Sequence, residues 1–157
     1  RVGGNKLDWA IMEGLRKKNN LIIGEQTAEA IKMKIGSAIK LKRAETMEVN
    51  GRDSINGMPK MVVVDSDMVY DWIRPQLDNI IRMVKDTLEV TPPELVADIL
   101  DRGVVLSGGG SQLRNFNILA TREIGVSVHV ALEPQHCVIK GTGIALENIE
   151  AYRRAIR

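Results

Sequence analysis

The segment VVLSGGGSQLR, residues 104–114, has the residue types of a ligand-binding turn. A β-branched strand runs into Gly108, Gly109 and Gly110, and a predicted helix follows. Glycines let a ligand approach the backbone closely, and the free amides of a first helical turn bind negative or polar groups. Position 113 is Leu113 where the dinucleotide fingerprint needs glycine, and no Gly-Lys-Ser/Thr ending follows, so neither named phosphate motif fits. The residues alone are equally consistent with a nucleotide-binding turn and with a turn that binds nothing.

Glu29 and Lys32 form a second candidate group, because residues three apart on a predicted helix share one face. From the residues alone, a solvated surface ion pair is the simpler interpretation. His129, His136 and Cys137 have no serine or aspartate placed to complete a catalytic triad. We interpret both histidines as structural and Cys137 as a small buried apolar residue. No cysteines and histidines have zinc-site spacing, so no metal ligands are predicted.

The helices that position these groups follow from the spacing of apolar residues. Apolar side chains recur every four residues from position 7 to 15, which predicts an amphipathic first helix. Thr27 is the predicted N-cap of a second helix, which ends at Gly36. Residues 66–67 cap a long third pattern, in which Pro75 predicts either a kink or a boundary between two helices.

A β-hairpin lies between the second and third predicted helices. Its strands are predicted at 45–49 and 60–64. Two Asn-Gly pairs, at 50–51 and 56–57, are both assigned to the connection, which makes it longer than a tight two-residue turn.

Beyond residue 91 the pattern changes to a short helix followed by βαβα. The two strands are predicted at 104–106 and 126–130, and the final helix is predicted to end near Ile156. A helical crossover between the strands predicts parallel pairing with helices on the sheet face. This part of the chain is therefore assigned to the α/β class.

The composition excludes several classes of protein. The chain has 157 residues, 44% of them hydrophobic, and a net charge of +2, so it is not expected to be disordered. Its 22 basic and 20 acidic residues are interspersed and only 3% of residues are aromatic, which argues against nucleic-acid binding. No apolar run is long enough to span a bilayer. The single cysteine fits a cytosolic protein, and the start at Arg1 suggests a fragment.

Five collinear segments resemble the MreB/Mbl family of bacterial actin-like cell-shape proteins, and together they run the length of the chain. They are RVGGNKLD at 1–8, LIIGEQTAEAIKMKIGSA at 21–38, GRDSINGMPK at 51–60, TPPELVADILDRGVVLSGGG at 91–110 and CVIKGTGIALENI at 137–149. The resemblance implies an α/β fold of the actin-like (ribonuclease H-like) ATPase type. It also implies an inserted, mostly helical lid subdomain with the hairpin at 1–90, and a base subdomain at 91–157 that lacks its upstream strands.

The resemblance also implies a binding site for the adenosine part of ATP or ADP. The residues that would line adenine and ribose from the base are Gly108, Gly109, Gly110, Ser111, Gln112 and Leu113, and those that would meet sugar and base from the lid are Glu29 and Lys32. The family's phosphate loops and catalytic carboxylate would lie upstream of Arg1, and its Mg²⁺ ligands would lie outside this chain. We therefore expect no catalytic and no metal-binding residue here, and no ATP hydrolysis by this chain alone.

The function implied by the resemblance is that of an ATP-binding, filament-forming protein that organises cell shape and cell-wall synthesis. Copies would associate head to tail, base to lid, in the cytoplasm at the inner face of the cell membrane. The membrane-contacting part of the family would also lie upstream of Arg1. An incomplete base sheet would expose an apolar edge, so we expect the isolated chain to associate.

Two alternatives stay open at this point. The chain could come from another ATPase of the actin, sugar-kinase and Hsp70 superfamily that acts on a sugar or a peptide. It could also be a nucleotide-binding α/β domain unrelated to actin, which would show a doubly wound sheet without an inserted subdomain.

Overall fold

A computed structural model describes residues 3–153 of the chain. The helices are α1 (Gly4–Asn19), α2 (Glu25–Ile35), α3 (Ser66–Glu89), α4 (Pro93–Arg102), α5 (Phe116–Ile124), α6 (Cys137–Glu147) and α7 (Ile149–Tyr152). The strands are β1 (Leu21–Ile22), β2 (Thr46–Asp53), β3 (Pro59–Asp65), β4 (Val104–Leu106) and β5 (Val128–Val130). Two short 3-10 turns lie at Gly109–Gln112 and Pro134–His136. No helix among these residues is both long and apolar enough to cross a membrane.

The predicted hairpin is confirmed, and β1 adds a third antiparallel strand in the order β1-β2-β3. Only the second Asn-Gly pair lies in the connection, where Gly57 has a φ of 75°. The first pair lies inside β2, so its assignment to the turn was wrong. Gly51 is needed there for a different reason, because a Cβ at this position would sit 2.5 Å from the Ile22 carbonyl oxygen of β1.

The strands of the βαβα unit pair in parallel as predicted, with Val104 opposite Val128. Among the described residues this sheet has two strands, which is not a doubly wound sheet. The predicted last helix is divided into α6 and α7, with Asn148 between them. Its predicted end near Ile156 lies outside the described residues.

Two helix starts differ from their predictions. Helix α2 begins at Glu25, so Thr27 lies in its first turn and is not the N-cap. Helix α3 is capped by Asp65, whose carboxylate accepts a hydrogen bond from the backbone amide of Met68 at 2.8 Å. Helix α3 continues through Pro75, so the alternative of two abutting helices was wrong.

The hydrophobic core brings α1, α2, α3, the hairpin and α5 together in one cluster. Ile11, Leu15, Ile31, Ile73 and Leu119 are completely buried in it. Because α5 belongs to the predicted base and the other elements to the predicted lid, the core crosses the boundary near residue 91. The two-subdomain division stays a prediction.

Apolar side chains elsewhere in the predicted base are exposed. Helices α4 and α6 have no buried residue. Val105 of β4 is 65% exposed, Leu100 of α4 59%, and Val138 and Ile139 of α6 77% and 71%. Exposed apolar side chains are thus present on α4, β4 and α6 among residues 3–153, whereas the apolar edge expected of an incomplete base sheet stays a prediction.

Candidate functional site

A cleft of about 640 Å³ opens where the start of α1, helix α2 and the glycine turn after β4 meet. Its lining residues come from three stretches that are far apart in sequence. They are Gly4, Asn5, Leu7, Glu29, Lys32, Met33, Gly109, Gly110, Gln112, Leu113, Arg114 and Gln135. We call this space the cleft.

The glycine turn after β4 forms one wall of the cleft. Gly108 has a φ of 84°, a left-handed conformation that glycine adopts without strain, and the 3-10 turn begins one residue later. Ser111 is 5% exposed, and its hydroxyl donates a hydrogen bond to the Gly108 carbonyl at 2.7 Å. A Cβ added at Gly110 would lie 3.8 Å from the backbone nitrogen of Gly4, so the turn runs close to the start of α1.

Lys32 faces the cleft from α2, but its main partner is a residue of α1. Its ammonium nitrogen lies 2.9 Å from each carboxylate oxygen of Asp8, and 4.0 Å from the carboxylate of Glu29. The side chains of Lys32 and Asp8 are only 15% and 12% exposed, whereas that of Glu29 is 60% exposed. The simple interpretation of Glu29 and Lys32 as a solvated surface pair was therefore wrong for Lys32. The Glu29 carboxylate keeps acceptor capacity for a ligand.

Six of the eight predicted site residues line the cleft: Glu29, Lys32, Gly109, Gly110, Gln112 and Leu113. The other two, Gly108 and Ser111, shape the turn without lining the cleft, because the Ser111 hydroxyl is directed to the Gly108 carbonyl. The structure thus brings two motifs together that are separate in sequence. Ligand contact by any of these residues stays a prediction.

Several residues at or beside the cleft were not predicted from the sequence as site residues. Gln135 donates a hydrogen bond from its side-chain nitrogen to the side-chain oxygen of Gln112 at 2.9 Å. Met33 places a 74% exposed side chain on the α2 side. For Asp8 the sequence does contain a signal that predicts an ion-pair partner. Its carboxylate directly follows Leu7 on the apolar face of the first helix, where a charge needs a partner.

Arg114 links the glycine turn to the segment that follows α2. Its guanidinium donates to the Glu45 carboxylate at 2.7 Å and to the Lys34 carbonyl at 3.3 Å. Its backbone pairs with Ser37 in an isolated parallel bridge. The neighbouring Asn115 side chain adds a hydrogen bond to the Ser37 hydroxyl at 3.0 Å. The wall formed by the glycine turn is therefore fastened to the α2 side of the cleft by main-chain and side-chain contacts.

The histidines and the cysteine lie outside the cleft. His129 is exposed, and its Nε2 lies 2.9 Å from the hydroxyl of Ser127. Cys137 is only partly buried and its neighbours Val138 and Ile139 are exposed, so its interpretation as a buried core residue was wrong. Within residues 3–153, no three histidine, cysteine, aspartate or glutamate residues cluster closely enough to hold a metal ion.

Comparison with known proteins gives a consistent result along the whole chain. The family model described as MreB/Mbl protein matches residues 1–154. The cell shape-determining protein Mbl of Bacillus cereus is 42% identical over 158 residues, which cover 100% of this chain and 47% of that protein. The cell shape-determining protein MreB of Escherichia coli K12 is 41% identical over 152 residues, 97% of this chain and 44% of that protein. The chain thus spans less than half the length of these relatives.

The fold also matches a solved structure. The crystal structure of MreB 5 of Spiroplasma citri bound to AMPPNP superposes with a TM-score of 0.91 at 32% sequence identity. The match covers 99% of this chain and 47% of that one. The arrangement of α1, α2, the hairpin and the βαβα unit is therefore shared with that protein.

Proposed function

The chain belongs to the MreB/Mbl family of cell shape-determining proteins and has an actin-like fold, and from this premise we propose that it binds the adenosine part of ATP or ADP in the cleft. The observation that carries the proposal is the convergence of the glycine turn with Glu29 and Lys32 on one space. The related MreB 5 was solved with AMPPNP bound. We assign the same class of ligand, an adenosine nucleotide, to this chain because it has the same fold.

The chemistry of the cleft suits a nucleoside. Glu29 offers an exposed carboxylate, which accepts hydrogen bonds from the two hydroxyls of a ribose. Met33 and Leu113 supply apolar surface for the faces of a base. Gly109 and Gly110 leave the backbone open, so that a planar ring can lie close to the turn.

A nucleoside in this position contacts α2 on one side and the glycine turn on the other. Its binding therefore favours the arrangement in which the two walls are close together, by the difference in its affinity for the closed and open forms. The pair of Lys32 with Asp8 holds the α2 wall against α1, and the contacts of Arg114 hold the turn. The site is thus built from elements that are already fastened, and the exposed Glu29 carboxylate, 4.0 Å from the Lys32 ammonium, keeps acceptor capacity for the ligand.

The described residues are assigned to nucleoside binding and not to hydrolysis. Among the residues that line the cleft, Glu29 is the one carboxylate, and the proposal uses it for the ribose hydroxyls, so no other carboxylate of the lining remains to hold Mg²⁺ beside the phosphates. Mg²⁺ and the groups that activate water are therefore assigned to parts of the protein other than these residues. When bound, the ion would neutralise the phosphates of the nucleotide.

The proposal extends to assembly and location. We assign the protein to filaments that organise cell shape and cell-wall synthesis in the cytoplasm, at the inner face of the cell membrane. Support comes from the family and from the exposed apolar side chains of α4, β4 and α6, which are of the kind that subunit contacts cover. Membrane contact is assigned to a part of the protein other than the described residues.

Calorimetric titration of the protein with ATP and ADP tests the nucleoside site. We expect saturable binding that Glu29→Gln weakens about tenfold, because a hydrogen bond to a charged acceptor is lost. The matched control is Glu25→Gln, an exposed carboxylate on the same helix that does not line the cleft. Absence of binding at millimolar nucleotide, or equal weakening by both substitutions, would refute the assignment.

A further inference from the structure

Gln112 and Gln135 form a hydrogen-bonded carboxamide pair at the rim of the cleft. They belong to two separate 3-10 turns, Gly109–Gln112 and Pro134–His136. A backbone hydrogen bond from the Gly108 amide to the Pro134 carbonyl, at 2.8 Å, holds these turns together. Both side chains are exposed and both line the cleft.

The bond between the two side chains leaves most of their hydrogen-bonding capacity unused. It takes one N–H of Gln135 and one lone pair of the Gln112 oxygen. Gln112 keeps both of its N–H donors, and Gln135 keeps one N–H and its carbonyl oxygen. In the described part of the chain, neither carboxamide has a second side-chain partner. The pair therefore presents donors and acceptors side by side to whatever occupies the cleft.

The position of the Gln112–Gln135 pair suits contact with the base of a bound nucleotide. A Cβ added at Gly109 would lie 3.8 Å from the side-chain nitrogen of Gln135, so this side chain lies over the glycine turn. Glu29, the carboxylate suited to ribose, belongs to α2, whereas the carboxamides belong to the turns that follow β4 and β5. A nucleoside whose sugar meets Glu29 turns its base toward the turn and the carboxamides.

We propose that the Gln112–Gln135 pair reads the C6 edge of a purine base, an inference that rests on the proposed nucleoside site. A carboxamide matches a neighbouring donor and acceptor on a base edge, which is how glutamine recognises adenine elsewhere. Rotation of the amide by half a turn exchanges its donor and acceptor. The pair therefore accepts either the 6-amino group of adenine or the 6-oxo group of hypoxanthine, and it selects against a purine without a substituent at C6.

Three triphosphates that differ at C6 test this proposal. ATP carries an amino group, inosine triphosphate an oxo group with a proton on N1, and purine riboside triphosphate only hydrogen. For the unaltered protein we expect ATP and inosine triphosphate each to bind roughly fivefold more tightly than purine riboside triphosphate, the effect of about one hydrogen bond. Calorimetry or displacement of a fluorescent nucleotide measures the three dissociation constants.

The substitutions Gln112→Leu and Gln135→Leu, singly and together, identify the source of that preference. In the double variant we expect the three dissociation constants to agree within about twofold, with each single variant in between. Gln26→Leu is the matched control, an exposed glutamine on α2 outside the cleft, and it should keep the unaltered ratios. Because both cleft glutamines are exposed, far-UV circular dichroism should show an unchanged fold.

The outcomes separate this inference from the proposed function. If the unaltered protein binds all three triphosphates with equal affinity, or if the double variant keeps the original ratios, the assignment of the carboxamide pair is wrong and the nucleoside site stands. If the unaltered protein binds none of the three, the nucleoside site itself is wrong.

Discussion

The ammonium of Lys32 and the carboxylate of Asp8 form a largely buried ion pair that joins α2 to α1 beside the cleft. The Lys32 nitrogen lies 2.9 Å from each carboxylate oxygen, with the side chains 15% and 12% exposed. At this degree of burial each charge depends on the other, because neither is well solvated. The pair therefore connects the stability of the α1–α2 contact to the shape of the candidate site.

Removal of Asp8 should destabilise the fold. Asp8→Ala leaves the Lys32 ammonium without its carboxylate, and we expect the free energy of unfolding to fall by about 2 kcal/mol. Urea denaturation followed by tryptophan fluorescence measures this change. The double variant Asp8→Ala/Lys32→Met should lose less than the sum of the two single losses, since it leaves no unpaired charge. Strictly additive losses would show that the two side chains do not interact.

The sequence predicted only part of this site, for a physical reason. The i, i+3 spacing correctly placed Glu29 and Lys32 on one helix face, because that relation is local. The pairing of Lys32 with Asp8 depends on how α2 packs on α1, and no local spacing encodes it. Gln135 is similar, since its contact with Gln112 depends on two turns that meet only in the folded chain.

Gly14 marks a close contact between α1 and α3. A Cβ at this position would lie 2.3 Å from the indole ring of Trp72. We expect Gly14→Ala to lower the free energy of unfolding by about 2 kcal/mol, because the ring has to move out of its packed position. The measurement is again urea denaturation.

Gly141→Ala provides the matched control for Gly14. Gly141 also lies inside a helix, but its added Cβ would have no atom within 4 Å. There the same substitution should be neutral or stabilising by about 0.5 kcal/mol, from helix propensity alone. In a Trp72→Leu background, Gly14→Ala should lower the free energy of unfolding by less than it does in the unaltered protein. Equal effects of Gly14→Ala in both backgrounds would contradict the steric explanation.

The fold was predicted best where side-chain chemistry acts locally. Gly108 was identified from its place after a strand, and its positive φ agrees with that choice. The cap of α3 was misplaced by one residue, because Asp65, Ser66 and Asp67 are all plausible caps and only the main-chain geometry selects Asp65. Gly51 looked like part of a turn because its tight contact with β1 is invisible in the sequence.

Asp53 at the end of β2 should make the stability of the hairpin dependent on pH. The hydrogen bond from Lys60, at 2.9 Å, and the backbone amides of Ile55 and Asn56 hold the pKa of Asp53 below its ordinary value of 3.8. The ionised form is thus favoured in the folded state. Its contribution is fully present above pH 3.8 and is lost as the pH falls through the lower folded-state pKa.

Asp53→Asn should therefore be less stable than the unaltered protein at neutral pH, and this difference should narrow as the pH is lowered to about 3. Urea midpoints measured across this range give the comparison. Lys60→Met removes the main hydrogen-bond donor to Asp53. In that background the difference in stability that Asp53→Asn causes at neutral pH should therefore be smaller. A difference that stays constant with pH would show that the ionisation of Asp53 does not contribute to folding.

Exposed apolar residues on α6 should cause the isolated chain to associate. Val138, Ile139 and Leu146 are 77%, 71% and 65% exposed on this helix, which has no buried residue. Burial of such side chains between copies is favourable by about 25 cal/mol per Å² of apolar surface. We expect sedimentation velocity at tens of micromolar to show species larger than a monomer, and Ile139→Glu to shift the distribution toward the monomer.

Asn79→Glu adds the same charge at an exposed polar position of α3 and should leave the distribution unchanged. A clean monomer of the unaltered chain, or an equal shift by both substitutions, would mean that the α6 surface does not drive association.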